Sequence, residues 1–139
     1  MVIRKILTIL IGTLLSYSVL AVGFMNESLD VILFMLMITY PFIFLYGLPV
    51  TILSDKITKD SLGVKRVIKA FLFHVLFGMG FVFVLSFFFD PHELFFNFKE
   101  YWSSEGELLF FAATLTSFFF WLVDEGIRCF QRKYCYSYE

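Results

Sequence analysis

The sequence is poor in charge, cysteine, histidine and proline. Charged residues are 17% of the 139-residue chain against 60% hydrophobic residues, and mean hydropathy is +0.84. A soluble domain of this length cannot hide that much apolar side chain, so lipid must cover part of it. The only cysteines, Cys129 and Cys135, provide no disulfide framework. They stand near the C-terminus, whereas a quinone-linked disulfide exchanger needs a pair on the outer face. With His74 and His92 as the only histidines, and at different depths, a four-ligand zinc site is excluded and no metal or cofactor is expected. A net charge of −1 without a basic stripe argues against nucleic acid as a partner. There is no internal repeat, no low-complexity linker and no room for a separate soluble domain.

What the chain has is long apolar stretches. A helix rises about 1.5 Å per residue, so a hydrocarbon core of about 30 Å takes roughly 20 residues. Residues 6–25, 31–53 and 70–89 meet that length, the third starting near 68. The fourth stretch has an uninterrupted apolar core only over 108–123. A capping box at Ser104-Glu105-Gly106-Glu107, with Ser104 as N-cap, extends it to about 105–126. The stretches are continuously apolar, without the period of two of a barrel strand. A lone helix also satisfies its own amides in lipid. The expected fold is all-α: a single polytopic domain over 1–139, with four transmembrane helices in a bundle and a short outer interfacial helix.

Lys and Arg set the orientation. Ten of the eleven basic residues fall on one side: Arg4 and Lys5, then Lys56, Lys59, Lys65, Arg66 and Lys69, then Arg128, Arg132 and Lys133. The other side has Lys99 alone and nets −6, against +5 on the basic side. Both termini are therefore expected in the cytoplasm of a plasma membrane. Arg4 and Lys5 also resemble the start of a signal peptide, and Val19-Leu20-Ala21 a cleavage site. The apolar run continues past it, so the helix is read as retained. Between spans three and four, Asp90-Pro91-His92-Glu93 supplies an N-cap, a first-turn proline and a carboxylate at N3. Leu94, Phe95, Phe98, Tyr101 and Trp102 then share one face of an interfacial helix reaching about Tyr101.

Candidate functional residues are few, and no catalytic residue is among them. His74 is the ionisable group well inside a span; it reads as a packing histidine, with a proton relay as the sharper alternative. Span two carries Tyr40, Pro41, Tyr46, Gly47 and Pro49. Each proline forfeits a backbone hydrogen bond, and the stretch reads as a fixed kink at Pro41, packed centrally against span three with Tyr40 or Tyr46 facing His74. The alternative is a broken helix whose free carbonyls bind an ion. Gly78 and Gly80 open a notch one turn from His74. Gly12 with Ser16, and Ala113 with Ser117, are small pairs four apart, within the chain or towards another copy. The loop from Lys56 to Arg66 fixes topology, with anionic-lipid binding as the alternative. Tyr134, Tyr136 and Tyr138 read as interface anchors.

The run Tyr40-Pro41, Tyr46-Gly47-Leu48-Pro49 and Ser54-Asp55 resembles the central stretch of an uncharacterised family of small four-span membrane proteins from Bacillus-like Firmicutes. The resemblance covers most of the chain in layout and about sixteen residues in motif. It implies a bacterial plasma membrane and adds no activity. The expected role is a non-enzymatic accessory, stress or immunity-type interaction protein, its partners being the bilayer and another membrane protein or itself. The alternative is a small oligomeric channel or transporter. Small multidrug exporters and fluoride channels are four-span chains of similar length. The exporters carry a glutamate within helix one that is missing here, and both groups insert in two orientations, which the ten-to-one bias opposes. An intramembrane hydrolase would need a Ser–His or metal-ligand arrangement at one depth.

Overall fold

A computed structural model describes residues 2–23, 29–89 and 91–135. Every regular element among them is helical: α1 (Val2–Gly23), α2 (Leu29–Thr58), α3 (Gly63–Phe89), the short α4 (Pro91–Phe96) and α5 (Phe98–Tyr101), a π turn at Trp102–Gly106, and α6 (Glu107–Cys135). Three of the described helices are long and apolar enough to cross a membrane: Ile3–Gly23, Gly63–Phe89 and Glu107–Gln131. The expected second span, 31–53, lies within α2.

The interior is the reverse of a soluble domain's. Among the described residues, thirteen of the nineteen buried side chains are polar or charged, while Leu14, Val22, Leu76, Phe88 and Phe111 are exposed. In water this arrangement would waste the apolar surface; in lipid the tails cover it, and small or polar residues let helices approach. Along α3 the buried positions recur every four residues: Arg66, Ala70, His74, Gly78, Val82 and Ser86. They form one stripe along the helix. Buried hydroxyls bond back to their own helix, Thr58 to the Ser54 carbonyl at 2.7 Å, Ser86 to Val82 at 2.7 Å and Thr116 to Ala112 at 2.8 Å. That is how such residues are satisfied without water.

The most extensive contacts join α6 to α3 and to α1, whereas α2 packs less extensively on α1 and α3. The central element is therefore α6, not the second span. The small residues explain why. A Cβ on Gly78 would lie 2.1 Å from Ser117 Oγ and 3.0 Å from the Ala113 carbonyl, and one on Gly12 would lie 2.4 Å from the Phe120 ring. The small-residue pairs thus serve contacts within the chain. Gly80 meets nothing within 4 Å, so the notch in α3 is Gly78 alone.

Three boundaries differ from expectation. α3 begins at Gly63, so Lys65 and Arg66 lie on a helix, not in a loop. Gly63 has φ +57°, a left-handed conformation that lets the chain reverse in the four residues after α2. α6 continues to Cys135, nine residues beyond the expected end at 126, or roughly 13 Å of added helix. Arg128 and Cys129 are consequently helical. Ser104 falls inside the π turn, not at a helix start: Tyr101 before the turn and Glu107 after it are both right-handed helical, and the Glu107 amide bonds the Trp102 carbonyl. A preceding helical turn thus supplies the acceptor that a cap would have replaced. The side chains of Ser104, Glu105 and Tyr134, and all of Tyr136 and Tyr138, lie outside the described residues, as does Asp90.

The expected interfacial helix forms from Pro91 but breaks at Asn97, whose φ and ψ are −125° and 35°. Asn97 Nδ2 turns back to Glu93 Oε1 at 3.1 Å. Of the expected apolar face, Tyr101 is buried, Leu94 and Trp102 are half-buried, and Phe95 and Phe98 are exposed. Phe95 meets Phe87 edge-on at 6.4 Å between centroids, and Phe98 stacks on Trp102 at 5.8 Å.

Candidate functional site: a buried ion network beneath a histidine-lined cavity

At the basic end, where α1 and α3 begin and α2 and α6 finish, charges from four helices converge. Arg4 and Lys5 come from α1, Asp55 from α2, Arg66 from α3, and Asp124, Glu125 and Arg128 from α6. Lys5 Nζ donates to Asp124 Oδ2 at 3.0 Å and lies 3.1 Å from Asp55 Oδ2. Arg4 and Arg128 both pair with Asp55. Arg4 Nε stands 3.2 Å from Asp124 Oδ1, and Arg128 Nη2 3.4 Å from Asp124 Oδ2. Thr8 donates to Asp124 Oδ1 at 3.3 Å. Arg66 is shared by both oxygens of Glu125. The Lys5 side chain is 0% exposed and that of Asp124 4%, so neither reaches bulk water.

Four cations face three carboxylates, leaving one net positive charge. An isolated charge here would be prohibitive, and each group is tolerated because its neighbours replace its hydration. Every carboxylate has a cation on another helix, so the network fixes α1, α2, α3 and α6 in register at this end.

One turn from Asp124 along α6 sits Phe120, 5% exposed. Its ring is seated between α1 and α2: a Cβ on Gly12 or on Gly47 would approach it to 2.4 or 2.8 Å. Beyond it a cavity of about 100 Å³ is bordered by α1, α2, α3 and α6. Tyr17, Tyr46, His74, Thr116, Ser117 and Phe120 are among its lining. His74 is 1% exposed, and its Nδ1 is 2.8 Å from the Ala70 carbonyl. A carbonyl only accepts, so Nδ1 carries the hydrogen and Nε2 presents its lone pair. Nε2 is buried and has no hydrogen-bond partner. Above the Phe120 ring, Ser16 and Thr116 join their hydroxyls across α1 and α6 at 2.6 Å.

The residues singled out in the sequence divide into those at the site and those away from it. Tyr46 packs on α3, where its hydroxyl donates to the Phe77 carbonyl at 2.9 Å and its ring lies against Phe77 and Phe81. It shares the cavity with His74 and Gly47. Asp55 belongs to the ion network, and Ser54 is buried one residue before it, 2% exposed. Gly78 makes the α3–α6 contact. Tyr40 is half-buried, and Pro41 and Pro49 are exposed. α2 runs unbroken through both prolines, so no interrupted helix presents carbonyls to an ion. His74 donates to the Ala70 carbonyl, and the Thr114 hydroxyl is buried without a hydrogen-bond partner.

The sequence reading missed Phe120 and took Arg4, Lys5, Arg66, Asp124, Glu125 and Arg128 for topology charges. A signal existed: Asp124 directly follows the apolar run and stands four residues before Arg128, the spacing of a helical ion pair. Charges abutting a span at both ends of the chain were the clue to a shared cluster. No family model, curated protein or solved structure matches the chain. Spanning-length apolar helices around a polar interior define an α-helical membrane protein.

Proposed function

We propose that the chain is a four-span bundle in a bacterial plasma membrane, N- and C-terminus cytoplasmic, that catalyses no reaction and acts by binding another membrane protein, as an accessory, stress or immunity factor. The ion network is the observation that supports this reading best. Its carboxylates and cations neutralise one another across helices, so they hold a shape and are not poised to exchange protons with a substrate. The basic bias supports the orientation, and the likeness of the Tyr40–Asp55 stretch to the Bacillus-like family supports the membrane.

A second reading, a small oligomeric channel or transporter, is favoured by one specific feature. Lys5, Thr8, Ser16, His74 and Thr116 place buried polar groups along the interior, and polar residues inside membrane spans commonly mark pathways. Purification from native membranes in mild detergent, followed by reconstitution into vesicles, separates the two. A stoichiometric complex with a different membrane protein, without ion flux from the isolated chain, is the expected result. A homo-oligomer that carries ions or protons would replace the interaction reading with the channel.

A further inference from the structure

We propose that the exposed face of α3 at the basic end is a binding site for an anionic phospholipid. Lys65 and Lys69 hold its phosphate, Lys56 and Lys59 add charge from the end of α2 and the turn, and an acyl chain lies along Leu72 and Leu76. This goes beyond the protein–protein reading and depends neither on it nor on which way the chain faces.

Three observations carry the assignment. The first is which cations are left over. Arg4, Lys5, Arg66 and Arg128 are held by Asp55, Asp124 and Glu125. Lys56, Lys59, Lys65 and Lys69 are exposed and enter no ion pair among the described residues. They fall between the last turn of α2 and the second turn of α3. Four lysines against Asp60 leave +3 there. A lysine cluster where a span meets the headgroups attracts anionic lipid, whereas the amine of a zwitterionic lipid would be repelled by the same ammonium groups.

The second is register. Leu72 and Leu76 are exposed and stand seven residues beyond Lys65 and Lys69. Seven residues make nearly two turns, so each leucine lies on the side of its lysine, about 10 Å further along. The headgroup layer is about 5–8 Å thick, so a phosphate at the lysines puts its acyl chain at the depth of the leucines. The buried stripe Arg66, Ala70, His74 and Gly78 occupies the other side of the helix. An acidic peptide would meet the lysines and leave the leucines bare; a phospholipid meets both. The third is the posture of Lys69. Its Nζ donates to Ser61 Oγ at 3.0 Å, and Ser61 is buried in the turn. An ammonium has three hydrogens, so two remain for phosphate oxygens while the serine restrains the long side chain and lowers the cost of ordering it.

The test is native mass spectrometry of the full chain in detergent, with equal amounts of phosphatidylglycerol and phosphatidylethanolamine of identical acyl chains. The expected result is a preference for phosphatidylglycerol adducts. Lys65→Gln with Lys69→Gln should lower it about fivefold for each lysine removed, the equivalent of about 1 kcal/mol per lysine. Lys65→Arg with Lys69→Arg should keep the preference, and Lys99→Gln at the other end should leave it untouched. Glycerophosphoglycerol, the same headgroup without chains, should not compete. Equal retention of the two lipids by the unmodified chain would overturn the proposal and leave the lysines to an acidic partner or to topology alone. An unchanged preference in the two-glutamine chain would overturn it too, as would competition by the headgroup alone, which would make the site one for a soluble phosphate ester. The comparison of the two lipids on the unmodified chain decides the matter even if the glutamine variant does not fold.

Discussion

Lys5 and Asp124 meet at 3.0 Å although 119 positions apart in the chain, and the lysine side chain is 0% exposed. The pair joins the first turns of α1 to the later turns of α6. Its surroundings bear one net positive charge, so removing either partner shifts the balance in opposite directions. Asp124→Asn raises the excess to two and strips Lys5, Arg4, Arg128 and Thr8 of an acceptor. It should cost about 3–5 kcal/mol, the range for breaking a buried pair. Lys5→Met brings the cluster to neutrality and should cost less. The double variant regains the original net charge, and should melt above the sum of the single effects in detergent. Strict additivity would show that the two groups do not interact.

Phe120 is held by the absence of side chains opposite it. Gly12→Ala places a methyl 2.4 Å from Cδ1 of that ring, and Gly47→Ala places one 2.8 Å from Cε2. Overpacking of this kind typically costs about 1–3 kcal/mol. Gly80→Ala meets nothing within 4 Å and should be neutral or slightly stabilising, since alanine favours helix over glycine. Thermal melting of the three variants should rank them accordingly. In a Phe120→Leu background the penalty at Gly12 should shrink. A penalty at Gly12 that survives unchanged there would remove the ring as its cause.

The helices, and the side that holds most of the basic residues, were legible because lipid imposes a length and a charge asymmetry that a single sequence displays. The interior was legible only where small residues stood four apart, as with Gly12 and Ser16. The ion network was not. Arg4, Lys5, Asp55 and Asp124 occupy the ends of apolar runs, where a charge facing the headgroups and a charge facing another helix look alike. Only the rotation of each helix distinguishes them, and that is set by contacts such as Gly78 against Ser117. Phe120 was hidden for the same reason: it is one of 21 phenylalanines, and its neighbours in space are glycines on two other helices. The prolines misled in the opposite sense. Pro41 and Pro49 marked α2 as unusual, yet both face outwards.

That outward position makes a prediction about α2. Pro41 fills no interior space, so Pro41→Ala should leave melting nearly unchanged while supplying an additional backbone donor to the helix. Tyr46→Phe keeps the ring against Phe77 and Phe81 but loses the hydroxyl donated to the Phe77 carbonyl at 2.9 Å. It should cost about 0.5–1.5 kcal/mol, the net worth of one such bond. The order of the two melting temperatures is the measurement. A Pro41→Ala protein less stable than Tyr46→Phe would restore the proline as the organising feature of α2.

The orientation prediction must allow for the network as well. Four of the ten cations on the basic side, Arg4, Lys5, Arg66 and Arg128, are spent against Asp55, Asp124 and Glu125. Among the described side chains, Lys56, Lys59, Lys65 and Lys69 remain outside it, against Lys99 on the other side. Four to one still predicts a cytoplasmic basic end, because the bias is read from lysines and arginines near the span ends. Single cysteines in a cysteine-free chain test this with an impermeant thiol reagent on intact cells. Ser61 is a poor reporter, since it is 7% exposed and receives the Lys69 ammonium at 3.0 Å. Its neighbour Leu62 is 84% exposed, and Ser103 is exposed in the π turn. Cysteine at position 103 should label on intact cells, and at position 62 only after lysis. The reverse pattern would invert the protein in the membrane, and labelling of both positions on intact cells would mean that Leu62 and Ser103 share the outer side, with α3 failing to cross.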